Sequence, residues 1–204
     1  MVREPPARAT GLAPQVIVVA GPNGAGKSTV APELLRDTFD VPAFVNADEI
    51  ARGLSGFAPE SAAIAAGRMM VRRLSELMVA RSDFAFETTL SGQRTRRFVE
   101  QLFESGYDVH LVFLWLWSPE QALQRVRMRE AAGGHGVPEA DVRRRFDRGL
   151  RAFAEMHRSV ATTWRAYDAS ATAPRLIARG ARGRPVVIVD EQSWRELMNR
   201  AEAP

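Results

Sequence analysis

VIVVAGPNGAGKSTVAPELL, residues 16–35, reads in order as a strand, a glycine loop and the start of a helix. Val16, Ile17, Val18 and Val19 form a β-branched run with no polar break, the pattern of a strand buried on both faces. Gly21, Pro22, Asn23, Gly24, Ala25 and Gly26 follow, and Lys27, Ser28 and Thr29 lead into residues that can be helical. The spacing G-x-x-x-x-G-K-S is complete over residues 21–28. Glycines placed this way let backbone N–H groups turn inward around phosphate oxygens, and a helix N-terminus adds partial positive charge. A lysine at 27 can reach the outer phosphates of a nucleoside triphosphate, and the Ser28 hydroxyl can bind Mg²⁺. A plain turn joining strand to helix would not require a lysine and a hydroxyl at fixed spacing. Residues 21–29 are therefore the expected ATP site, with Ser28 as the expected metal ligand.

Composition singles out the same lysine. Twenty-seven of the 28 basic residues are arginine, and Lys27 is the sole lysine. An ammonium is a compact point charge on a flexible stem, whereas a guanidinium is a planar fork, so a pocket shaped for the first does not accept the second. The other bulk properties are ordinary. A chain of 204 residues suits one sizeable core, and 46% hydrophobic with 25% charged residues fits a soluble globular protein. A net charge of +4 gives no argument for nucleic-acid binding. Without cysteine there are no disulfides and no thiolate metal sites. No apolar run reaches membrane-spanning length, and residues 1–14 read as a flexible tail rather than a secretory signal. Residues 15–204 are expected to form a single domain, and a cytoplasmic protein is the simplest account.

Strand-like and helix-like segments alternate along the chain, which predicts an α/β fold with a mainly parallel, five-stranded sheet covered on both faces. After the first strand, residues 43–46, 83–89, 107–117 and 164–170 are the further parallel-strand candidates. Residues 59–82 read as one long helix and 93–105 as another, stopped at Gly106. Ser118-Pro119-Glu120 has the form of an N-cap with proline at the first helical position. The helix that follows breaks at GGHGVP, residues 133–138, and restarts, which suggests an arginine-bearing lid over about residues 125–148. RLIARG and PVVIVD flank a turn and predict a C-terminal β-hairpin. Trp115 and Trp117 alternate with leucines and read as packing residues.

Ligands of an open parallel sheet bind at the carboxyl ends of its strands. Asp48, in NADEI, and Glu87, in FAFETT, fall at such ends. A carboxylate there can accept a substrate hydroxyl proton or serve Mg²⁺. Asp48 also fits a helix N-cap, and Glu87 could simply satisfy loop backbone groups. Thr88 and Thr89 offer hydroxyls to a ligand. Seven arginines fall within 125–148, and phosphoryl transfer needs positive charge near the migrating group. Most of the seven fit a solvated helical face, and one or two, Arg127 with Arg144 or Arg148, are expected to close on the phosphates; His135 in the hinge fits a ligand contact and an exposed loop histidine equally.

AGPNGAGKST, NADEI, FAFETTLSG and GGHGVPEADVRRRF, in this order, resemble the zeta toxin family of P-loop kinases in its short stand-alone branch. The resemblance spans about residues 15–170. It implies a kinase that phosphorylates the sugar of UDP-N-acetylglucosamine, with ATP and Mg²⁺, held in check by an antitoxin protein. It further implies Lys27 and Ser28 as ATP and Mg²⁺ residues, Asp48 as catalytic base, Glu87 and Thr89 facing the sugar nucleotide, and Arg127 as a lid arginine. Two positions depart from the family pattern. Ser91 stands where an arginine follows the Glu-x-Thr block, and His135 stands near the second lid arginine. Other readings of the same loop are a kinase for another nucleotide, sugar or nucleic-acid hydroxyl, or a nucleotide-dependent switch or ATPase acting on a partner protein. Against the switch, no strand reads as hydrophobics ending in an Asp beside the loop.

Overall fold

The computed structural model describes residues 12–34, 41, 43–55, 59–134 and 136–203. The opening stretch becomes β1 (Gln15–Ala20), the glycine loop, and α1 (Lys27–Leu34). There follow β2 (Phe44–Val45), α2 (Ala47–Leu54), a 3-10 turn (Pro59–Ala62), α3 (Ala63–Val79), β3 (Phe84–Thr88) and α4 (Gln93–Glu104). The second half holds β4 (Asp108–Trp115), α5 (Pro119–Ala131), α6 (Glu139–Ser159), β5 (Thr163–Asp168), β6 (Arg175–Ala181), β7 (Val187–Ile188) and α7 (Glu191–Glu202). Most of the expected tail, residues 1–11, lies outside the described residues.

One sheet runs in the order β2-β3-β1-β4-β5-β6-β7. The first five strands are parallel, as expected. The predicted hairpin exists as β6 and β7, but it joins β5 antiparallel and widens the sheet to seven strands. The uninterrupted apolar run of β1 is explained by its place between β3 and β4, where Val16 to Ala20 are fully buried. Helices α4, α6 and α7 pack one face through ring contacts. Phe98 meets Phe86, Phe153 stacks on Phe113 at 4.4 Å between centroids, and Trp194 stacks on Trp164. The Ser118 side chain caps α5 by accepting from the Gln121 N–H at 3.2 Å, as its sequence suggested. The long helix expected over 59–82 is shorter at both ends, entering through the 3-10 turn and stopping at Val79.

His157 on α6 is buried at the centre of the aromatic cluster, edge-on to Trp164 and Trp194. Its Nδ1 lies 3.0 Å from the Phe153 carbonyl oxygen, which can only accept, so Nδ1 carries the hydrogen. Burial pushes its pKa below the usual histidine range. The unfolded chain then binds a proton that the folded chain refuses. Stability is full above the unfolded value of about 6.5 and falls as the pH drops below it, by up to about 1.4 kcal/mol per pH unit. Urea midpoints measured from pH 7 to 5 should fall more steeply for the wild type than for His157→Phe. Parallel curves would show that this ring does not set the slope.

Candidate active site

All the parallel strands end at one edge of the sheet, and the glycine loop lies there against β3 and β4. Gly21 has φ 147, and a Cβ on it would come within 2.3 Å of the Leu114 carbonyl oxygen. Only glycine lets the loop leave β1 so close to β4. Gly26, at φ 79, would direct a Cβ into space with no atom within 4 Å. Its left-handed backbone, rather than a crowded neighbour, is what asks for glycine there. Lys27 is 7% exposed and straps the loop, donating to the Pro22 carbonyl at 2.9 Å with Glu87 Oε1 at 3.7 Å. Burial lowers its pKa; Glu87 and Asp48 oppose the shift and Arg129 adds to it.

The two carboxylates occupy different roles in the geometry. Glu87 is the penultimate residue of β3, which is the neighbour of β1, so its side chain stands beside the loop. It accepts from the Ser28 hydroxyl at 2.7 Å and from Asn46 Nδ2 at 2.8 Å. β3 therefore is a hydrophobic strand with an acid near its end beside the loop, which corrects the sequence reading that no such strand is present; the acid is Glu rather than Asp, and adjacency to β1 is a tertiary fact. Ser28 and Glu87 present hard oxygens suited to Mg²⁺, and Asn46 holds them in place by donating from Nδ2 to both. Among the described residues, no group of three or more His, Asp or Glu side chains forms a self-sufficient metal cage. A Mg²⁺ at Ser28 would thus take ligands from phosphate oxygens and water as well.

Asp48 is the second residue of α2, and the alternative of an N-cap role for it is corrected by the structure. The cap is Asn46, whose Oδ1 accepts from the Asp48 and Glu49 N–H groups at 2.8 and 3.4 Å. Asn46, buried and bonded to both α2 and Glu87, was read only as a strand residue. The Asp48 side chain is left exposed on the wall of a cleft of about 470 Å³ that also holds Lys27, Ser28, Glu87, Thr88 and Thr89.

The arginines of this cleft are Arg125, Arg129 and Arg145, with Arg52 from α2. Arg127, the expected catalytic lid residue, is on the other side of α5. It pairs with Glu139 at 3.0 Å and borders a separate groove with Leu123 and Met128. The reason is helical geometry: 125 and 129 share a face, and 127 is roughly half a turn away. Arg144 pairs with Asp141 at 2.7 Å, and Arg148 is exposed; neither lines the cleft. His135 lies outside the described residues. Arg125 donates to the Ala169 and Ser170 carbonyls at 2.7 and 2.6 Å and reaches toward Gly24 O at 3.5 Å, tying the loop to the end of β5. Buried Asp168 fixes that end. It accepts from Ser170 N, Arg175 and Trp117 Nε1, so Trp117 is more than packing.

A model of the Zeta toxin family matches residues 3–192. The chain belongs to that family. A protein of Haemophilus influenzae described as uncharacterised is 30% identical over 132 residues, covering 65% of this chain and 92% of that one. Among solved structures, the PezAT toxin-antitoxin system of Streptococcus pneumoniae superposes with a TM-score of 0.62 at 15% identity, over 95% of this chain and 86% of that one. The AvrRxo1-ORF1:AvrRxo1-ORF2 complex superposes at 0.68 with 17% identity, over 92% of this chain and 64% of that one, and was also solved with ATP. At these identities the likeness concerns the fold, which for this member of the family is the P-loop kinase arrangement described above. Among the described residues, no helix is long and apolar enough to cross a membrane.

Proposed function

We propose that this chain is an ATP-dependent kinase that transfers the γ-phosphoryl group to a hydroxyl of a small molecule, with the sugar of UDP-N-acetylglucosamine as the first acceptor to test. The observation that carries the reading is the division between the two carboxylates. Glu87 is committed to Ser28, Lys27 and Asn46, while Asp48 stands exposed on the same cleft. A phosphate binder needs the first arrangement; a kinase needs the second as well.

In this reading the loop N–H groups and Lys27 hold the ATP phosphates, and Arg129 and Arg145 face the migrating group from α5 and α6. Ser28, with Glu87 behind it, would hold Mg²⁺, which when bound supplies positive charge against the phosphate oxygens. Asp48 orients the acceptor hydroxyl and takes its proton. Thr89 and Thr95 line the acceptor side, and Arg52 is the cation that lines the cleft from α2. Ser91, at the departure from the family pattern, binds Thr89 instead, hydroxyl to hydroxyl at 2.8 Å. Residues 125–148, the end of α5 and the start of α6, are the lid in this reading. A protein antitoxin that keeps the cleft from substrate belongs with this reading.

The test is incubation with γ-labelled ATP and UDP-N-acetylglucosamine, and in parallel with a metabolite extract, followed by identification of the labelled product. Label on the amino sugar supports the named acceptor. Label on another hydroxyl compound keeps the kinase and replaces the acceptor. Release of inorganic phosphate alone, unstimulated by any acceptor, removes the kinase reading. For Glu87→Gln we expect transfer to fall on the order of 10²-fold, with the Mg²⁺ requirement moved to higher concentration, because the site loses a charge-assisted bond and a negative charge. A Mg²⁺ titration with the wild-type midpoint would take Glu87 off the metal side.

A further inference from the structure

Two locally unfavourable choices meet at Thr89. The first is Leu90, fully buried yet left-handed at φ 55. A bulky residue with that backbone is an outlier, and such strain persists where the surroundings over-determine it. The second is Gly149, a glycine in the body of α6, where it weakens the helix relative to alanine. A Cβ at 149 would stand 2.3 Å from the Thr89 carbonyl oxygen. The helix therefore rests directly on the turn that follows β3.

The other contacts of this turn fix it from both sides. The Thr88 carbonyl accepts from Gly21 N of the phosphate loop at 3.3 Å. The Thr88 hydroxyl accepts from Leu90 N at 3.0 Å. Thr89 shares a hydrogen bond with Ser91. Thr89 is thus bracketed between the phosphate loop and α6, with the Leu90 side chain sunk in the core as an anchor. One helical turn before Gly149, on the same stripe of α6, Arg145 lines the cleft. The closeness of α6 to the turn sets the distance between Arg145 and Thr89.

We infer that Leu90 and Gly149 are positioning residues for the acceptor: they hold Thr89 at the wall of the cleft and set Arg145 over it. This rests on the kinase reading above and adds two residues that touch no substrate. Each residue goes against the preference of its own element, a leucine that would favour a right-handed backbone and a helix position that would favour alanine, and both follow from the close approach of the turn to α6. Both become intelligible if the turn has to present Thr89 within reach of an arginine from another element.

The experiment uses the full chain with Gly149→Ala and Leu90→Gly. The second variant keeps the left-handed backbone and removes the anchor. With the acceptor identified above, kcat/KM for the acceptor should fall on the order of 10²-fold in Gly149→Ala, as expected for a misplacement near 1 Å, while KM for ATP stays at the wild-type value. Hydrogen exchange at the amide of position 90, corrected for the intrinsic rate of the residue there, should speed up in both variants, a readout that needs no acceptor. Equal losses toward ATP and acceptor, together with a lower Tm, would mean a merely structural role and overturn the inference. Wild-type kinetics in Gly149→Ala would overturn it as well while leaving the kinase reading intact. If the wild type phosphorylates no acceptor, the kinase reading fails and this inference falls with it.

Discussion

Lys27→Ala is expected to lower phosphoryl transfer by on the order of 10³-fold or more, the scale of losing a cation or donor aimed at transition-state charge. The side chain does two things at once. It brings the chain's sole ammonium to the outer phosphates, and it straps the loop to itself through Pro22. Because Lys27 is buried, its loss also takes one of two donors from the Pro22 carbonyl, which keeps the Ala25 N–H at 3.3 Å, so the cost is that of one hydrogen bond, about 0.5–1.5 kcal/mol. Glu87 keeps the Ser28 and Asn46 donors, so the fold should survive with a reduced melting temperature. Lys27→Arg separates charge from shape. The planar fork has no room in a 7%-exposed site bounded by Pro22 and Glu87, so transfer should fall nearly as far although the charge is kept. Acceptor phosphorylation and ATP affinity, measured beside thermal melting, check both variants. Wild-type turnover by Lys27→Ala would remove the loop from the chemistry.

The phosphate loop was legible because its information is local. Strand, glycines, lysine and helix lie within one short stretch, and each has a backbone or charge reason to be there. The five parallel strands and the C-terminal hairpin were legible from periodicity and turn residues. Sheet order was not. Nothing in FAFETT says that its strand lies beside β1, so Glu87 could not be seen as the acid behind Ser28 until Val19 and Glu87 were found in register. Asn46 hid for a related reason. NADEI fits either Asn46 or Asp48 as a cap, and only the hydrogen bonds to the Asp48 and Glu49 amides decide it.

The lid arginines are a different case. Arg127 came from matching blocks of sequence, which carries no sense of which way a helix faces. The 3.6-residue repeat was available and pairs Arg125 with Arg129 on one stripe, leaving Arg127 opposite. Buried Leu123 and Val126 of α5 mark the packed side, so the pattern of apolar residues in QALQRVRMRE could have oriented the helix. Gly149 is another matter. In RRRFDRGLRAF it reads as an isolated helix glycine, and its reason, the Thr89 carbonyl, is 60 positions away in the chain.

Asp48→Asn should lower acceptor phosphorylation on the order of 10²–10⁴-fold, with ATP affinity little changed. A sugar hydroxyl is a poor nucleophile at neutral pH because its proton is tightly held. A carboxylate within reach orients the hydroxyl and accepts that proton as the bond to phosphorus forms. Phosphoryl transfer has a loose transition state, so much of the gain is positional, and asparagine retains part of it through one acceptor oxygen. That is why the lower end of the range is also a meaningful result. The structural cost should be small. Asn46, not Asp48, caps α2, and Glu49 remains to interact with the helix N-terminus, so the loss is confined to about 0.3–1 kcal/mol of helix-dipole stabilisation. Lys27 loses one of the two negative charges that favour its protonated form, but Glu87 at 3.7 Å, first among them, stays. A variant that melts near the wild type, binds ATP and fails to phosphorylate the acceptor therefore isolates the base. A variant with full transfer would leave Asp48 as a solvated residue at the second position of a helix. The kinase would stand, because the acceptor is still phosphorylated, but its hydroxyl would be oriented by another group of the cleft and the gain would be positional alone.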